Sequence, residues 1–234
     1  MNDSHTKNFG RRFIAVVGSV VALVSLVSMA APVAVSGVAA QKVVGQNPSA
    51  VIIPDIDPLA FAANQALEQL RDDLVRFDGS AEITHSFIRL RRATAEQVAD
   101  RLDLDPDELE AAWADSDINH QTALLAALTQ VGTPYKRFTM KPGIGFDCSG
   151  LTSFAWSQAG FSIPRNSTQQ IRAADPRTPD NAQAGDLLRY PGHVMMWLGV
   201  GQAVIHSPRP RQFVEVKILA PRSMKRSTFG DPTE

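Results

Sequence analysis

The 234-residue chain lacks the composition of a disulfide scaffold, a metal-cluster protein or a nucleic-acid binder. It contains one cysteine, Cys148, which excludes an intramolecular disulfide framework and a cysteine-rich zinc or iron–sulfur site. Its 23 basic and 24 acidic residues give a formal net charge of −1, so no electrostatic footprint for nucleic acid exists. The lone cysteine must pack in a core, react, or pair between chains.

Motifs for metals and cofactors are also missing from the sequence. His5, His85 and His120 are scattered and show no metal-ligand spacing such as H-E-x-x-H. There is no glycine-rich phosphate loop. We therefore expect no metal and no cofactor. The 44% apolar fraction is ordinary for a globular protein and excludes wholesale disorder.

Residues 1–40 have the layout of an export signal. A polar, basic start precedes residues 13–40, which carry no charge. Small-residue cleavage patterns end at Ala30 and at Ala40. Residues 13–30 are long enough to span a bilayer, so a retained membrane anchor is the alternative to a cleaved signal peptide. In both cases we expect an exported protein of the cell wall, extracellular space or periplasm.

Proline content and periodicity divide the rest of the chain. Residues 41–58 contain three prolines and little periodicity, which is typical of a linker. Residues 59–116 show helical spacing of apolar residues and predict a helical module. Residues 117–222 change from helical to period-two patterns, which indicates an α+β domain. Residues 223–234 are predicted to be a tail.

The helical module is predicted to contain helices over residues 59–77 and 82–92, and two short helices within residues 94–113. Thr94 with Gln97 has the pattern of a capping box, and Asp105 followed by Pro106 suits another helix start. This layout resembles the first half of a helix-turn-helix. The alternative, which sparse basic residues favour, is a packing or spacer module. A protein partner for this module stays open.

Within the α+β domain, Cys148 has the surroundings of a nucleophile. A cysteine attacks as a thiolate, and the positive end of a helix dipole favours that form. Helices are predicted over 118–131 and 148–159, so Cys148 begins the second. The alternative is a buried small side chain, as most lone cysteines are.

Two histidines are placed to activate this cysteine. Strands are predicted over 186–190, 193–198, 203–206 and 213–218. Because strands joined by a short turn run antiparallel, His193 at the start of one lies beside His206 at the end of the next. His193 would be the base, and His206 would orient it. The alternative for each histidine is a satisfied structural role.

Four motifs in order resemble the NlpC family of bacterial cell-wall cysteine peptidases. They are F-D-C-S-G-L, P-R-N-S-T-Q-Q, G-D-L and G-H-V, within residues 118–220. The resemblance implies a papain-like NlpC fold with helices packed on an antiparallel sheet. It implies a thiol endopeptidase that hydrolyses the γ-D-glutamyl–diamino acid bond of peptidoglycan stem peptides through a thioester. Cys148, His193 and His206 would form its triad.

The same resemblance implies four substrate-binding residues. Tyr135 would lie near the scissile carbonyl. Asp147 and Ser149 would bind the free amine of the stem peptide, and Arg165 would support that subsite. The sequence departs from the family pattern in the segment K-R-F-T-M-K-P-G-I-G, which lacks the usual tryptophan and paired glycines. Three alternatives stay open: a wall-binding module without catalysis, a membrane-tethered assembly protein, and a cell-wall amidase using the same residues.

Overall fold

A computed structural model describes residues 56–77 and 82–233, in which seven helices and eight strands form. The helices are α1 Pro58–Arg76, α2 His85–Leu102, α3 Pro106–Asp115, α4 Ile118–Leu128, α5 Cys148–Gln158, α6 Ser167–Ala173 and α7 Pro221–Met224. The strands are β1 Met140–Lys141, β2 Gly145–Phe146, β3 Asp175–Arg177, β4 Leu187–Tyr190, β5 His193–Trp197, β6 Ala203–His206, β7 Glu215–Ile218 and β8 Thr228–Asp231.

Polar side chains cap the helices that carry the core. Asp57, Asp105 and Asp117 each accept hydrogen bonds from backbone N–H groups in the first turns of α1, α3 and α4. Pro58 and Pro106 stand in the first turn, where the missing N–H costs nothing. The predictions of a helix from residue 59 and of a start at Asp105 are confirmed.

The capping box predicted at Thr94 is wrong. Helix α2 runs through this position without interruption, and Thr94 Oγ1 donates a hydrogen bond to Leu90 O at 2.8 Å. A threonine hydroxyl can bond back to the preceding turn without ending a helix. Thr94 is buried, so packing decides its conformation. Residues 85–92 and 94–102 therefore belong to one helix, and residues 82–84 precede it.

The main sheet has six antiparallel strands in the order β3-β8-β4-β5-β6-β7. The four strands predicted from period-two patterns are confirmed as β4 to β7, with ends that differ by one or two residues. Val194, Met196 and Ile205 face the helical core, whereas Met195 and Val204 pack on the other side. Both faces of the central strands are thus covered.

The predicted tail is wrong, because it contains a strand inside the sheet. Strand β8 pairs with both β3 and β4. A side chain on Gly230 would collide with Ala174 and Ile171, so the backbone itself packs there. Asp231 is buried in an ion pair with Arg177. Close backbone approach and charge pairing leave no period-two pattern, and the sequence therefore gives no sign of this strand.

The helical module shares its core with the α+β domain. Leu59, Val98 and Leu109 belong to the same buried cluster as Trp156 of α5. Trp113 of α3 donates its indole N–H to Leu198 O at 2.8 Å. The predicted boundary between residues 116 and 117 therefore falls inside a continuous core.

The same interface is tied by a buried arginine. Arg91 of α2 bonds Glu110 of α3 and Gln121 of α4, at 2.8 Å in each case.

Within the described residues, no helix combines the length and the hydropathy that a membrane span needs. The predicted export segment of residues 1–40 and residues 41–55 of the predicted linker lie outside the described residues.

Candidate active site

Cys148 is the first residue of α5, as predicted, and is half-buried. Asp147 caps this helix by accepting the N–H of Gly150 at 2.7 Å. A side chain on Gly150 would overlap the carbonyl oxygen of Thr139, so the glycine of the F-D-C-S-G segment permits this turn to pack closely. Cys148 therefore lies at the positive end of the helix dipole.

The two predicted histidines are neighbours, which confirms the expectation from strand direction. His193 Nε2 and His206 Nδ1 lie 2.8 Å apart, at hydrogen-bond distance. Both side chains are buried, with 7% and 6% of their surface exposed. The pair is held where β5 begins and β6 ends. A histidine base is thereby supplied with a partner that can orient its ring.

Two further contacts connect Cys148 with the histidine pair. Ser207, next to His206, donates its hydroxyl to Phe146 O at 2.7 Å, two residues before the cysteine. Tyr190 lies directly opposite His193 across β4 and β5, with ring centroids 5.4 Å apart. Burial, and then the charge of Cys148, raises the pKa of Tyr190. These contacts connect the segments that carry Cys148, His193 and His206, and a triad of the three stays a prediction.

Both histidines are neutral at neutral pH. Burial, followed by the nearby His206, lowers the pKa of His193 to about 3. Burial, followed by the positive charge of Lys217, lowers the pKa of His206 to about 4. A neutral imidazole has a free lone pair and can accept a proton from a thiol.

A cavity of about 320 Å³ is lined by both sequence neighbours of Cys148 and by Arg165, which are three of the four predicted substrate-binding residues. Its lining residues are Phe138, Asp147, Ser149, Arg165, Asn166 and Gln169. Arg165 donates to Ser149 Oγ and to Asp147 Oδ2, both at 2.9 Å. Asp147 Oδ2 also accepts the N–H of Phe138 at 2.7 Å. An incoming amine would share this carboxylate with Arg165.

Tyr135, the fourth predicted substrate-binding residue, does not line this cavity. Its N–H donates to Gln212 O at 2.8 Å, and its backbone bridges to Phe146. It therefore lies beside the segment that leads into Cys148. Its role near a scissile carbonyl stays a prediction.

Two residues of the site were missed by the sequence reasoning. Gln170 is buried and donates to Ser149 O at 3.0 Å and Ser153 Oγ at 2.9 Å, which fixes the first turn of α5. It is the last residue of the quoted P-R-N-S-T-Q-Q segment, so a signal was present. Glu215 Oε1 lies 3.3 Å from His206 Nε2. An isolated glutamate in a short strand gives no such signal.

His120, Asp186 and Asp231 are the residues of metal-ligating type that cluster in the described part of the chain. His120 lies 2.8 Å from Asp117 and 3.0 Å from Asp186. Burial alone would lower the pKa of His120, but the hydrogen bonds to both carboxylates outweigh it and raise the pKa to about 9. A metal would have to displace this bound proton. In the described residues the cluster forms a buried charge network.

Comparison with known proteins gives a family match in the region that holds the site. Residues 132–231 match the model of the NlpC/P60 family. A probable endopeptidase of Corynebacterium glutamicum is 41% identical over 107 residues, which cover 44% of this chain and 50% of that protein. The bifunctional muramidase/DL-endopeptidase CwlT of Bacillus subtilis is 30% identical over 106 residues, or 42% of this chain and 32% of that protein.

Among solved structures, RipD of Mycobacterium tuberculosis is a non-catalytic NlpC/p60 domain protein described as adapted to peptidoglycan binding. It aligns with a TM-score of 0.41 at 24% identity and covers 49% of this chain and 98% of that chain. The chain spans half or less of the length of the two curated relatives above. The fold described above is the α+β arrangement of helices on an antiparallel sheet that the motifs implied. The part of the chain that holds the site, residues 132–231, is an NlpC/P60 family domain.

Proposed function

We propose that this protein is a cysteine peptidase that hydrolyses amide bonds in peptidoglycan stem peptides. The observation that carries the proposal is the buried His193–His206 pair, joined at 2.8 Å, together with a half-buried Cys148 at a helix N-terminus. The segments that carry them are connected by the hydrogen bond from Ser207 to Phe146 O. A packed structural cysteine needs neither a neutral histidine pair nor an adjoining cavity. The two curated relatives described above carry the names of endopeptidases.

The reaction proceeds in two halves. In the first, Cys148 Sγ attacks the amide carbonyl while its proton passes to His193. His193 then gives that proton to the leaving amine, the C–N bond breaks, and a thioester remains on Cys148. In the second, His193 takes a proton from water as the water oxygen attacks the thioester. The C–S bond breaks, His193 returns that proton to Cys148 Sγ, and the acid product leaves.

The substrate in this proposal is the γ-D-glutamyl–diamino acid bond of the stem peptide. The cavity beside Cys148 supports this choice because Asp147, Ser149 and Arg165 surround it. An ammonium group suits the Asp147 carboxylate, and an adjacent peptide carboxylate suits Arg165. The DL-endopeptidase name of the Bacillus subtilis relative describes the same bond class.

Export to the wall is part of the same proposal. The basic start and the uncharged stretch over residues 13–40 support a signal peptide or a membrane anchor. An enzyme for peptidoglycan must reach the wall, so the two parts of the proposal agree. A protein partner for the helices within residues 59–116 remains a separate expectation.

The test is digestion of purified peptidoglycan by the full-length protein in mild detergent, followed by mass spectrometry of the products. We expect fragments cut between D-glutamate and the diamino acid with the wild type and none with Cys148→Ala. Ser157→Ala, an exposed change on the same helix, should behave as the wild type.

The same digestion separates the alternatives. Release of intact stem peptides from the glycan would identify an amidase instead. Wall binding without any cleavage, by both the wild type and Cys148→Ala, would identify a binding module and overturn the proposed hydrolysis.

A further inference from the structure

Four side chains form a row across one end of the sheet. Tyr190 lies opposite His193 in the β4–β5 register, and His206 lies opposite Glu215 in the β6–β7 register. His193 and His206 join the two pairs at 2.8 Å. Glu215 Oε1 completes the row, 3.3 Å from His206 Nε2. The row therefore continues beyond the two histidines to a carboxylate.

The hydrogen-bond direction along this row decides whether His193 can act as a base. Its Nε2 is occupied by His206, so Nδ1 is the nitrogen left for the thiol proton. A neutral imidazole carries one N–H. Nδ1 is free to accept only when that hydrogen is on Nε2 and is donated to His206 Nδ1. His206 must then carry its own hydrogen on Nε2.

Glu215 selects this arrangement. A carboxylate has acceptors only, so at 3.3 Å it favours an N–H on His206 Nε2. With the hydrogen on Nδ1 instead, the Nε2 lone pair would face the carboxylate oxygen and be repelled. His206 would then donate to His193 Nε2, and the hydrogen of His193 would move to Nδ1, where it blocks proton transfer from Cys148.

The nearby cation Lys217 opposes the tautomer of His206 that the Glu215 carboxylate favours. Lys217 Nζ lies 3.9 Å from Glu215 Oε1 and, with Arg209, lines the cavity next to both histidines. An ammonium group is a donor and favours a bare Nε2 on His206. Without Glu215, Lys217 would promote the unproductive tautomers.

We propose that Glu215 is a positioning residue that fixes the tautomers of His206 and His193 and so keeps His193 Nδ1 open toward Cys148. This inference rests on the proposed peptidase function. Glu215 is not among the residues that line the cavity at Asp147. Its side chain is 43% exposed, so its replacement removes an acceptor without opening the core.

The test combines kinetics with the ring-nitrogen NMR signals of the histidines, because the tautomers can be read whether or not the protein is active. We expect the wild type to carry hydrogens on Nε2 of both His193 and His206. Glu215→Leu should shift the hydrogens of both rings toward Nδ1 and lower kcat about tenfold, with KM little changed. A hydrogen bond to a charged acceptor favours one tautomer by about tenfold, and this variant removes that bond.

Two further variants separate positioning from folding. Glu215→Asp keeps a carboxylate and should retain the wild-type tautomers and most of kcat. Glu108→Leu, an exposed glutamate of α3, controls for the loss of one charge and should match the wild type.

Two outcomes would overturn the inference. One is unchanged tautomers and kcat in Glu215→Leu; the other is a loss of kcat while the wild-type tautomers persist. A wild type with the expected tautomers but no hydrolysis would instead contradict the proposed function and leave the tautomer assignment supported.

Discussion

Replacement of His120 by glutamine removes the cation of a buried charge network. The imidazole is fully buried and lies between Asp117 and Asp186, with Asp231 Oδ1 at 3.5 Å from its Nε2. These contacts join the start of α4 to β4 and β8. Because the pKa of His120 is raised from 6.5 to about 9, the native state holds a proton that the unfolded chain releases.

The magnitude and the sign follow from this difference in pKa. One pKa unit corresponds to about 1.4 kcal/mol, so a shift from 6.5 to about 9 contributes about 3 kcal/mol to the free energy of unfolding. The contribution is fully present below pH 6.5 and is lost as the pH rises through 9. His193 and His206 do not interfere, because their lowered pKa values of about 3 and 4 reduce stability only below pH 6.5.

Urea unfolding between pH 6 and 9.5 checks this account. The wild type should lose about 3 kcal/mol over the interval, and His120→Gln should be less stable at pH 6.5 with a much flatter pH dependence. His85→Gln, a change at an exposed position in α2, is the matched control and should follow the wild type. Equal losses in the wild type and in His120→Gln would refute the assigned network.

Three other predictions concern the cavity, the nucleophile helix and the shared core. Phe138 is 90% exposed, has a positive φ of 56° and lines the cavity. In stem-peptide hydrolysis, Phe138→Ser should raise KM about fivefold and leave kcat within twofold. An unchanged KM would contradict a contact between Phe138 and the substrate. Gln170→Leu leaves several buried polar groups unpaired. It should lower the free energy of unfolding in urea by about 2–4 kcal/mol, and a loss below about 0.5 kcal/mol would contradict this prediction. A fragment of residues 117–222 lacks β8 and exposes the surface that packs on α1 to α3. It should therefore show no cooperative thermal transition by circular dichroism. A sharp transition would contradict the shared core.

The sequence was informative where chemistry and local pattern coincide. Cys148 at a helix start and His193 beside His206 follow from helical periodicity, strand direction and short turns, all of which are local signals. Strands β4 to β7 were predictable for the same reason. Asp147, named from the family resemblance as a substrate-binding residue, also caps α5 and pairs with Arg165.

The remaining features depend on contacts between distant residues. Strand β8 is buried by close backbone packing and by an ion pair of Asp231, neither of which produces a hydrophobic period. Thr94 sits in a helix because its surroundings are buried, although its local pattern suits a cap. Glu215 and His120 acquire their partners only when β7 pairs with β6 and α4 meets β4.

The measurement closest to the central claim is capture of the thioester on Cys148. The full-length protein is mixed with a stem peptide and quenched in acid within milliseconds to seconds. The mass of the intact protein is then measured by mass spectrometry. The account predicts a transient increase equal to the acyl part that ends in D-glutamate, located on Cys148 by peptide mapping and absent from Cys148→Ala. Hydrolysis that persists in Cys148→Ala, or an adduct found at another residue, would contradict it.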